Sequence, residues 1–197
     1  MKQRLTLLMA LLLIFCLVAC SGKGEQDPSS KEVKAQSSTA DAPATQEKEA
    51  ELFDAGNVTV PVPEGWKAFS QFDVMSDDPN AVDPDIAQIC KGGVTQTDIF
   101  SKPYIQINYY GPGSVTTDFE LLKEFYETFE MLDPMQIGPY TWEGFSTTDY
   151  GSLNIILYTQ DGEYQYQASI WCGEGSNTIA VEDADVQQIL AGVAHSN

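Results

Sequence analysis

The sequence predicts an α+β fold in which an antiparallel β-sheet is flanked by helices. Three observations support this. Short stretches of alternating apolar and polar residues recur between turn signals, an Asp-Gly pair at residues 161–162 joins two of them, and two other stretches carry apolar residues at helical spacing. One helical stretch lies in the middle of the chain and the other at its end, an order typical of domains with segregated helices and strands.

The first strands are predicted from alternation. In residues 58–62 three valines alternate with other residues, and the prolines at 61 and 63 favour a position at a sheet edge because proline cannot donate to the ladder. Residues 86–90 form a second short apolar stretch. In residues 105–110 isoleucines and a tyrosine alternate with Gln106, Asn108 and a second tyrosine, so this strand should have one wetter face.

The middle helix is predicted from Phe119 to Leu132, because aromatic residues and leucines recur there at helical spacing. Thr117 and Glu120 have the spacing of a capping box, and Pro134 should stop the helix. A closing helix is predicted after Asp183 as its cap. The strands between the two helices should form an antiparallel meander, at residues 135–141, 144–149, 153–159 and 164–172, with a last short strand at 178–181.

The N-terminus has the layout of a cleavable secretory signal. Lys2 and Arg4 precede an apolar run of fifteen residues, which is shorter than the roughly 20 needed to cross a bilayer. The run ends in Leu17-Val18-Ala19-Cys20, which resembles the lipobox of bacterial lipoproteins. The resemblance implies lipidation of Cys20 and attachment to the extracytoplasmic face of the cell membrane, since two or more fatty chains anchor a protein stably.

Composition divides the chain into three parts. Residues 1–19 are the predicted signal peptide, residues 20–53 a lipidated N-terminus with a flexible tether, and residues 54–197 a single domain. The tether is expected because this stretch is rich in Ser, Ala, Thr, Gln, Glu and Lys and has too few large apolar side chains to offset the entropy of ordering.

The charge excludes several partner classes. The chain has 10 basic and 29 acidic residues and a formal charge of −19, and removing the predicted signal would take away Lys2, Arg4 and no acid. An acidic surface repels phosphate backbones, and Arg4 is the only arginine, so we expect no nucleic-acid partner. Anionic lipid surfaces are disfavoured for the same reason, which leaves the lipid on Cys20 as the expected membrane contact.

Two cysteines remain after the predicted signal and Cys20 are set aside. Cys90 and Cys172 are a possible disulfide in an extracytoplasmic protein, and closing a loop of about 83 residues would stabilise the fold by roughly 4 to 5 kcal/mol on the entropy model. The alternative is two buried thiols in neighbouring strands. A metal site is not expected from this pair, because the only histidine, His195, is the third residue from the end.

Three other groups of residues are candidates for a function. Weak calcium ligands occur in a stretch expected to be a solvated loop, at Asp73, Asp77, Asp78, Asp83 and Asp85. Tyr164 and Tyr166 should share one face of their strand and Trp171 the other. With these three, a possible stacking surface comprises Tyr109, Tyr110, Tyr140, Trp142, Tyr150 and Tyr158. Nucleophilic catalysis needs a base beside the nucleophile, and the one histidine of the sequence is the near-terminal His195. We therefore expect neither enzymatic activity nor a cofactor.

Several segments together resemble the PsbP-like domains of bacterial lipoproteins. These are Val62-Pro63-Glu64-Gly65-Trp66, the predicted middle helix, Ile137-Gly138-Pro139-Tyr140, the hairpin and the closing helix. The resemblance implies an α/β/α sandwich and a non-enzymatic module that docks a protein partner at the cell envelope. The alternative reading is a lipoprotein that binds a small ligand, a glycan or calcium.

Overall fold

The computed structural model describes residues 50–114 and 119–196. Strands dominate these residues. In chain order the elements are β1 (Glu51–Asp54), β2 (Val58–Val62), β3 (Trp66–Phe72), β4 (Val82–Lys91), a 3-10 helix (Gln96–Phe100), β5 (Tyr104–Tyr110), α1 (Phe119–Lys123), β6 (Glu130–Ile137), β7 (Tyr140–Thr147), β8 (Asn154–Asp161), β9 (Tyr164–Trp171), β10 (Gly173–Glu174), β11 (Asn177–Thr178), α2 (Ala184–Ala191) and β12 (Ala194–His195).

The main sheet has seven antiparallel strands in the order β3-β4-β5-β9-β8-β7-β6. A smaller sheet has the order β1-β2-β12, and β10 pairs with β11. A four-stranded meander is present as β6 to β9, as predicted, but its first turn is at residues 138–139, inside the predicted strand 135–141, and not between residues 141 and 144. Its last hairpin confirms the Asp-Gly signal: Asp161 pairs with Tyr164, and Gly162 in the two-residue turn has φ +63°.

The core lies between the main sheet, the smaller sheet and α2. One row of isoleucines across four strands of the main sheet, Ile89, Ile105, Ile170 and Ile155, is buried, and Val58 and Val60 of β2 are fully buried in the same cluster. From α2 come Val186, Ile189 and Leu190. We name this side of the main sheet the inner face.

Gly138 shows how closely α2 approaches this core. It turns the chain between β6 and β7 with φ +58°, a conformation that favours glycine. A Cβ at this position would lie 2.6 Å from the Cβ of Ala191, the last residue of α2. The β6–β7 turn therefore needs glycine for two independent reasons, one in the backbone and one in the packing.

Strand β2 is not an edge strand, which corrects the expectation from its prolines. It lies between β1 and β12 in the smaller sheet. Pro61 is tolerated because β12 pairs only with Val58 and Thr59, so that ladder has already ended before the proline.

The predicted α/β/α sandwich is wrong. In the described residues the α-helices are α1, with five residues, and α2, with eight, and they do not form layers flanking the sheet. The inner face is covered mainly by a second sheet. The structure is therefore mostly β, and the architecture that the PsbP-like resemblance implied is absent. No helix in residues 50–114 and 119–196 has the length and apolarity to cross a bilayer.

The largest error concerns the middle helix, predicted from Phe119 to Leu132. Only Phe119–Lys123 is helical, and Glu130–Ile137 is strand β6. The carboxylate of Asp149 accepts the backbone N–H groups of Glu127 and Thr128, which a helix would direct to its own carbonyls. The aromatic residues at helical spacing instead pack on one residue of the sheet from a segment that is mostly turns. Phe119, Tyr126 and Phe129 all contact the ring of Phe145. The predicted cap, Thr117, lies outside the described residues.

Candidate functional site: the outer face of the main sheet

Directly paired residues in a sheet share a face, so the strand register defines a second face opposite the inner one. We name it the outer face. Its middle row carries Gln88, Gln106, Ser169 and Ile156 on four successive strands. Ile156 and its neighbour Phe145 are buried, because residues 119–129 lie on that half of the face through their aromatic rings. The half formed by β3, β4 and β5 carries polar side chains instead.

Side-chain amides on this half form a connected chain, which we name the amide ladder: Gln71, Gln88, Gln106 and Asn108. The Nε2 of Gln88 donates to Oε1 of Gln71 and to Oε1 of Gln106, both at 3.1 Å. Gln106 in turn donates to Oδ1 of Asn108 at 2.9 Å. The ladder crosses β3, β4 and β5 and fixes the orientation of each amide relative to the next.

Gln88 occupies an unusual position in the ladder. Its side chain is only 6% exposed, yet its Oε1 accepts no hydrogen bond. A buried acceptor without a partner costs about 1 to 3 kcal/mol. Rotating this amide alone would turn its oxygen toward the oxygens of Gln71 and Gln106, so the ladder fixes Nε2 as the donor end.

A cleft of about 450 Å³ opens above Gln88. It lies between β3, β4, the 3-10 helix and β5, and we name it the Gln88 cleft. None of its lining residues is charged, and Gln88 alone among them is buried. They are Gln71, Phe72, Val74, Gln88, Gln96, Thr97, Ile99, Phe100 and Tyr104.

The 3-10 helix that walls this cleft is bonded to β3 and is stabilised by contacts within its own segment. Gln96 donates from Nε2 to the backbone oxygen of Ser70 in β3 at 2.7 Å. The carboxylate of Asp98 accepts the backbone N–H groups of Thr95 and Val94, which hold the pKa of Asp98 below its usual range. Lys102 forms an ion pair with the same carboxylate at 3.4 Å. The wall is therefore built by specific contacts although none of its residues is buried.

Large apolar side chains are exposed around the mouth of the cleft. Val74, Met75 and Phe100 are 85%, 89% and 85% exposed, and Phe72 and Val82 also face solvent. Phe72 and Val82 are paired across β3 and β4, and three of the five line the cleft. We name these five residues the apolar rim. Grouped exposed apolar side chains of this kind mark interaction sites in soluble domains.

The calcium candidates are not brought together. Asp73, Asp77 and Asp78 lie between β3 and β4, whereas Asp83 and Asp85 belong to β4, which corrects their placement in a loop. Asp73 and Asp78 accept backbone N–H groups two residues ahead, and Asp85 accepts from Asn57 at 2.8 Å. In the described part of the chain no three acidic, histidine or cysteine side chains are grouped as metal ligands.

The cysteines proposed as a disulfide are free and buried in the structure. Cys90 pairs with Tyr104, which pairs with Trp171, so strand β5 separates Cys90 from β9 and from Cys172 after it. Two strand spacings amount to roughly 10 Å, beyond the Cα separation of about 7 Å that a disulfide can bridge. Cys172 belongs to the core on the inner face, whereas Cys90 lies on the outer face. Burial raises the pKa of both thiols, that of Cys172 to about 11.

The aromatic residues divide between the faces as predicted for β9. Tyr164 and Tyr166 both contact Tyr109, and Trp171 stacks on Tyr104 with ring centroids 6.4 Å apart. Trp142 and Tyr166 are fully buried and cannot form a surface. The half-exposed pair on the outer face is Tyr104 and Trp171, and Tyr104 was not among the predicted stacking residues. The sequence placed Gln106 on a wetter strand face but gave it no role, and it missed Gln88, a single glutamine in an apolar stretch.

No protein-family model matches the sequence, and no curated protein matches it. A crystal structure of a protein from Bacteroides thetaiotaomicron is similar in part, with 11% sequence identity and a TM-score of 0.45. The match covers 76% of this chain and 50% of that protein, so this chain spans about half of that protein's length.

Proposed function

We propose that this chain is a membrane-anchored extracytoplasmic lipoprotein whose domain docks a protein partner, without enzymatic activity. The observation that supports docking best is the apolar rim, and Phe100 most of all, since it is 85% exposed on an attached element. An exposed aromatic side chain on an element that is fixed by specific contacts is typical of the centre of a protein interface.

The charge around the rim indicates the chemistry of the partner. Asp73, Asp77, Asp78 and Asp83 lie beside rim residues along the chain. An apolar segment flanked by lysines or arginines would match both features, because complementary charge guides association and suppresses wrong partners. Such an attraction is screened by salt, so the affinity of the complex should fall as ionic strength rises.

The docking proposal can be tested with two matched substitutions in detergent extracts of the envelope. Phe100→Asp should lose the captured partner, whereas Phe125→Asp should keep it. Phe125 is a suitable control because it is 70% exposed and lies in the segment that contacts β7 and β8, far across the sheet. Capture of the same proteins by both variants, or of nothing but the bait by the wild type, would contradict the proposal.

The anchor can be tested separately. Cys20 lies outside the described residues, and its lipidation is supported by the Leu17-Val18-Ala19-Cys20 sequence alone. Cys20→Ser should release the chain from membranes once its leader is cleaved, because the lipid on Cys20 is the membrane contact predicted for the mature protein. A Cys20→Ser protein that still sediments with membranes would remove the lipoprotein assignment and leave the docking proposal to the domain.

Glycan binding is a second candidate. It is favoured by the stacked Tyr104 and Trp171 pair, which lies beside Gln106 and Ser169 on the outer face. A sugar ring could stack on one aromatic face and bond to the amides. Neutral oligosaccharides should then raise the melting temperature of the protein, because a ligand that binds only the folded state stabilises it. Unchanged melting at millimolar sugar would remove this candidate.

A further inference from the structure

Strands β5 and β9 are neighbours near the centre of the main sheet, and together they present eight side chains to the outer face. All eight are partly exposed, and none is charged. Each of them carries a hydrogen-bonding group. We name them the neutral strip: Tyr104, Gln106, Asn108, Tyr110, Gln165, Gln167, Ser169 and Trp171. Such a run of uncharged positions is distinctive in a chain with 29 acidic and 10 basic residues.

The neutral strip lies between two elements on the outer face. On one side is the 3-10 helix, which bonds through Gln96 to Ser70 of β3 and lines the Gln88 cleft together with Tyr104 of the strip. On the other side Phe119 stacks on Tyr158 of β8, with ring centroids 5.1 Å apart. Seven residues of β5 make the strip roughly 20 Å long, and two strands make it roughly 10 Å wide. An elongated, narrow ligand fits this shape better than a broad protein surface.

The strip combines aromatic rings with fixed amides. Trp171 and Tyr104 stack with ring planes 16° apart. The hydroxyl of Tyr110 donates to Oε1 of Gln167 at 3.4 Å, and Nε2 of Gln167 donates to the hydroxyl of Ser169 at 3.5 Å. An amide offers donors and an acceptor, and each hydroxyl of a sugar likewise donates and accepts. A charged ligand would find no opposite charge on the strip, and covering a charge without a partner is costly.

We infer that the neutral strip binds a neutral, linear polysaccharide whose sugar rings lie in a row along β5 and β9. One ring stacks on Tyr104 and Trp171, and hydroxyls of the following rings bond to the amides of Gln106 and Gln167. The inference rests on the second candidate function, glycan binding, and is independent of partner docking. It adds the site, the charge and the length of the ligand.

Tryptophan fluorescence of the full chain reports on this site selectively. The sequence has three tryptophans, and Trp66 is 7% exposed and Trp142 fully buried, whereas Trp171 is partly exposed. The probes are cello-, malto- and N-acetylchito-oligosaccharides from the disaccharide to the hexasaccharide, with acidic oligogalacturonates of the same lengths. At least one neutral series should protect Trp171 from acrylamide quenching, and its hexasaccharide should bind about tenfold more tightly than its disaccharide. The acidic series should not bind.

Two matched substitutions locate the site. Gln167→Glu places a charge in the middle of the strip, and its carboxylate can still accept the hydroxyl of Tyr110, so the fold should be kept. The hexasaccharide should bind this variant about tenfold more weakly. Gln136→Glu makes the same chemical change at an exposed position of the edge strand β6 and should bind like the wild type. Thermal melts without sugar check that both variants are folded.

Four results would overturn the inference. Equal binding of disaccharide and hexasaccharide, or of neutral and acidic series, removes the extended neutral ligand, and neither comparison requires a variant. Unchanged binding by Gln167→Glu places the sugar elsewhere. In these three cases glycan binding itself stands, and it falls with the inference only if no neutral series binds. Loss of the captured envelope proteins in Gln167→Glu would assign the strip to the protein partner instead.

Discussion

The inner and outer faces of the main sheet are built from alternate residues of the same strands, yet they differ in chemistry. On β4 and β5 the inner face carries Ile89 and Ile105, both fully buried, and the neighbouring outer positions carry Gln88 and Gln106. The inner face is covered by the smaller sheet and α2. On the outer face, the half formed by β3, β4 and β5 opens into the Gln88 cleft beside the apolar rim. The difference indicates that the inner face maintains the fold and that the outer face is shaped for binding.

The two cysteines give the largest expected effect, because each thiol is either labelled or not labelled. Without reductant, thiol labelling followed by peptide mapping should modify both Cys90 and Cys172 once the protein is unfolded, and neither at an appreciable rate in the native state. Both thiols are buried with raised pKa values, which lowers the reactive thiolate fraction. Labelling that appears only after reduction would show a disulfide and contradict the assignment of the two residues to opposite faces.

Adjacent residues of β5 test the contrast in stability. Ile107 is fully buried on the inner face, and truncation to alanine should cost about 2 to 5 kcal/mol of unfolding free energy. Asn108→Ala removes a hydrogen bond from the outer face and should cost about 1 kcal/mol or less. Urea denaturation of both variants provides the measurement. Equal losses at the two positions would mean that the outer face also maintains the fold.

Gly138 tests how tightly α2 closes the inner face. Gly138→Ala should destabilise the protein by about 1 to 3 kcal/mol, through a positive φ and a clash with Ala191. Gly162→Ala is the control, since Gly162 has a similar φ of +63° but no atom within 4 Å of an added Cβ. Thermal melts of the two variants separate backbone strain from packing. If they melt together, α2 does not press on the β6–β7 turn.

Asp149 should have the smallest effect, confined to low pH. The hydroxyl and backbone N–H of Thr128 and the N–H of Glu127 hold its pKa below the usual 3.8. A carboxyl with a depressed folded-state pKa stabilises the fold above its unfolded pKa, and this stabilisation is lost as the pH falls below 3.8 through the folded value. Wild type should therefore melt slightly above Asp149→Asn at neutral pH, and the difference should shrink below pH 3.8. A difference independent of pH would contradict this.

The sequence predicted the strands well where alternation and turn chemistry agreed, as in β5 and the β8–β9 hairpin. It failed at residues 119–132, where helical spacing of aromatic residues came from packing on Phe145 and where Asp149, more than twenty residues away along the chain, takes the backbone donors. Local pattern cannot reveal such a distant partner. The Gln88 cleft was invisible for a related reason: glutamine in an apolar strand signals a polar position, but only the register of three strands makes the amide ladder.

The central claim is that the apolar rim docks a partner, and site-specific photocrosslinking in intact membranes tests it most directly. A benzophenone side chain placed at position 100 should give one crosslinked protein product, which weakens at high salt, whereas the same group at position 125 should give none. Position 100 is chosen because Phe100 is the most exposed aromatic residue of the rim. Equal crosslinking from positions 100 and 125, or none from position 100, would contradict the claim.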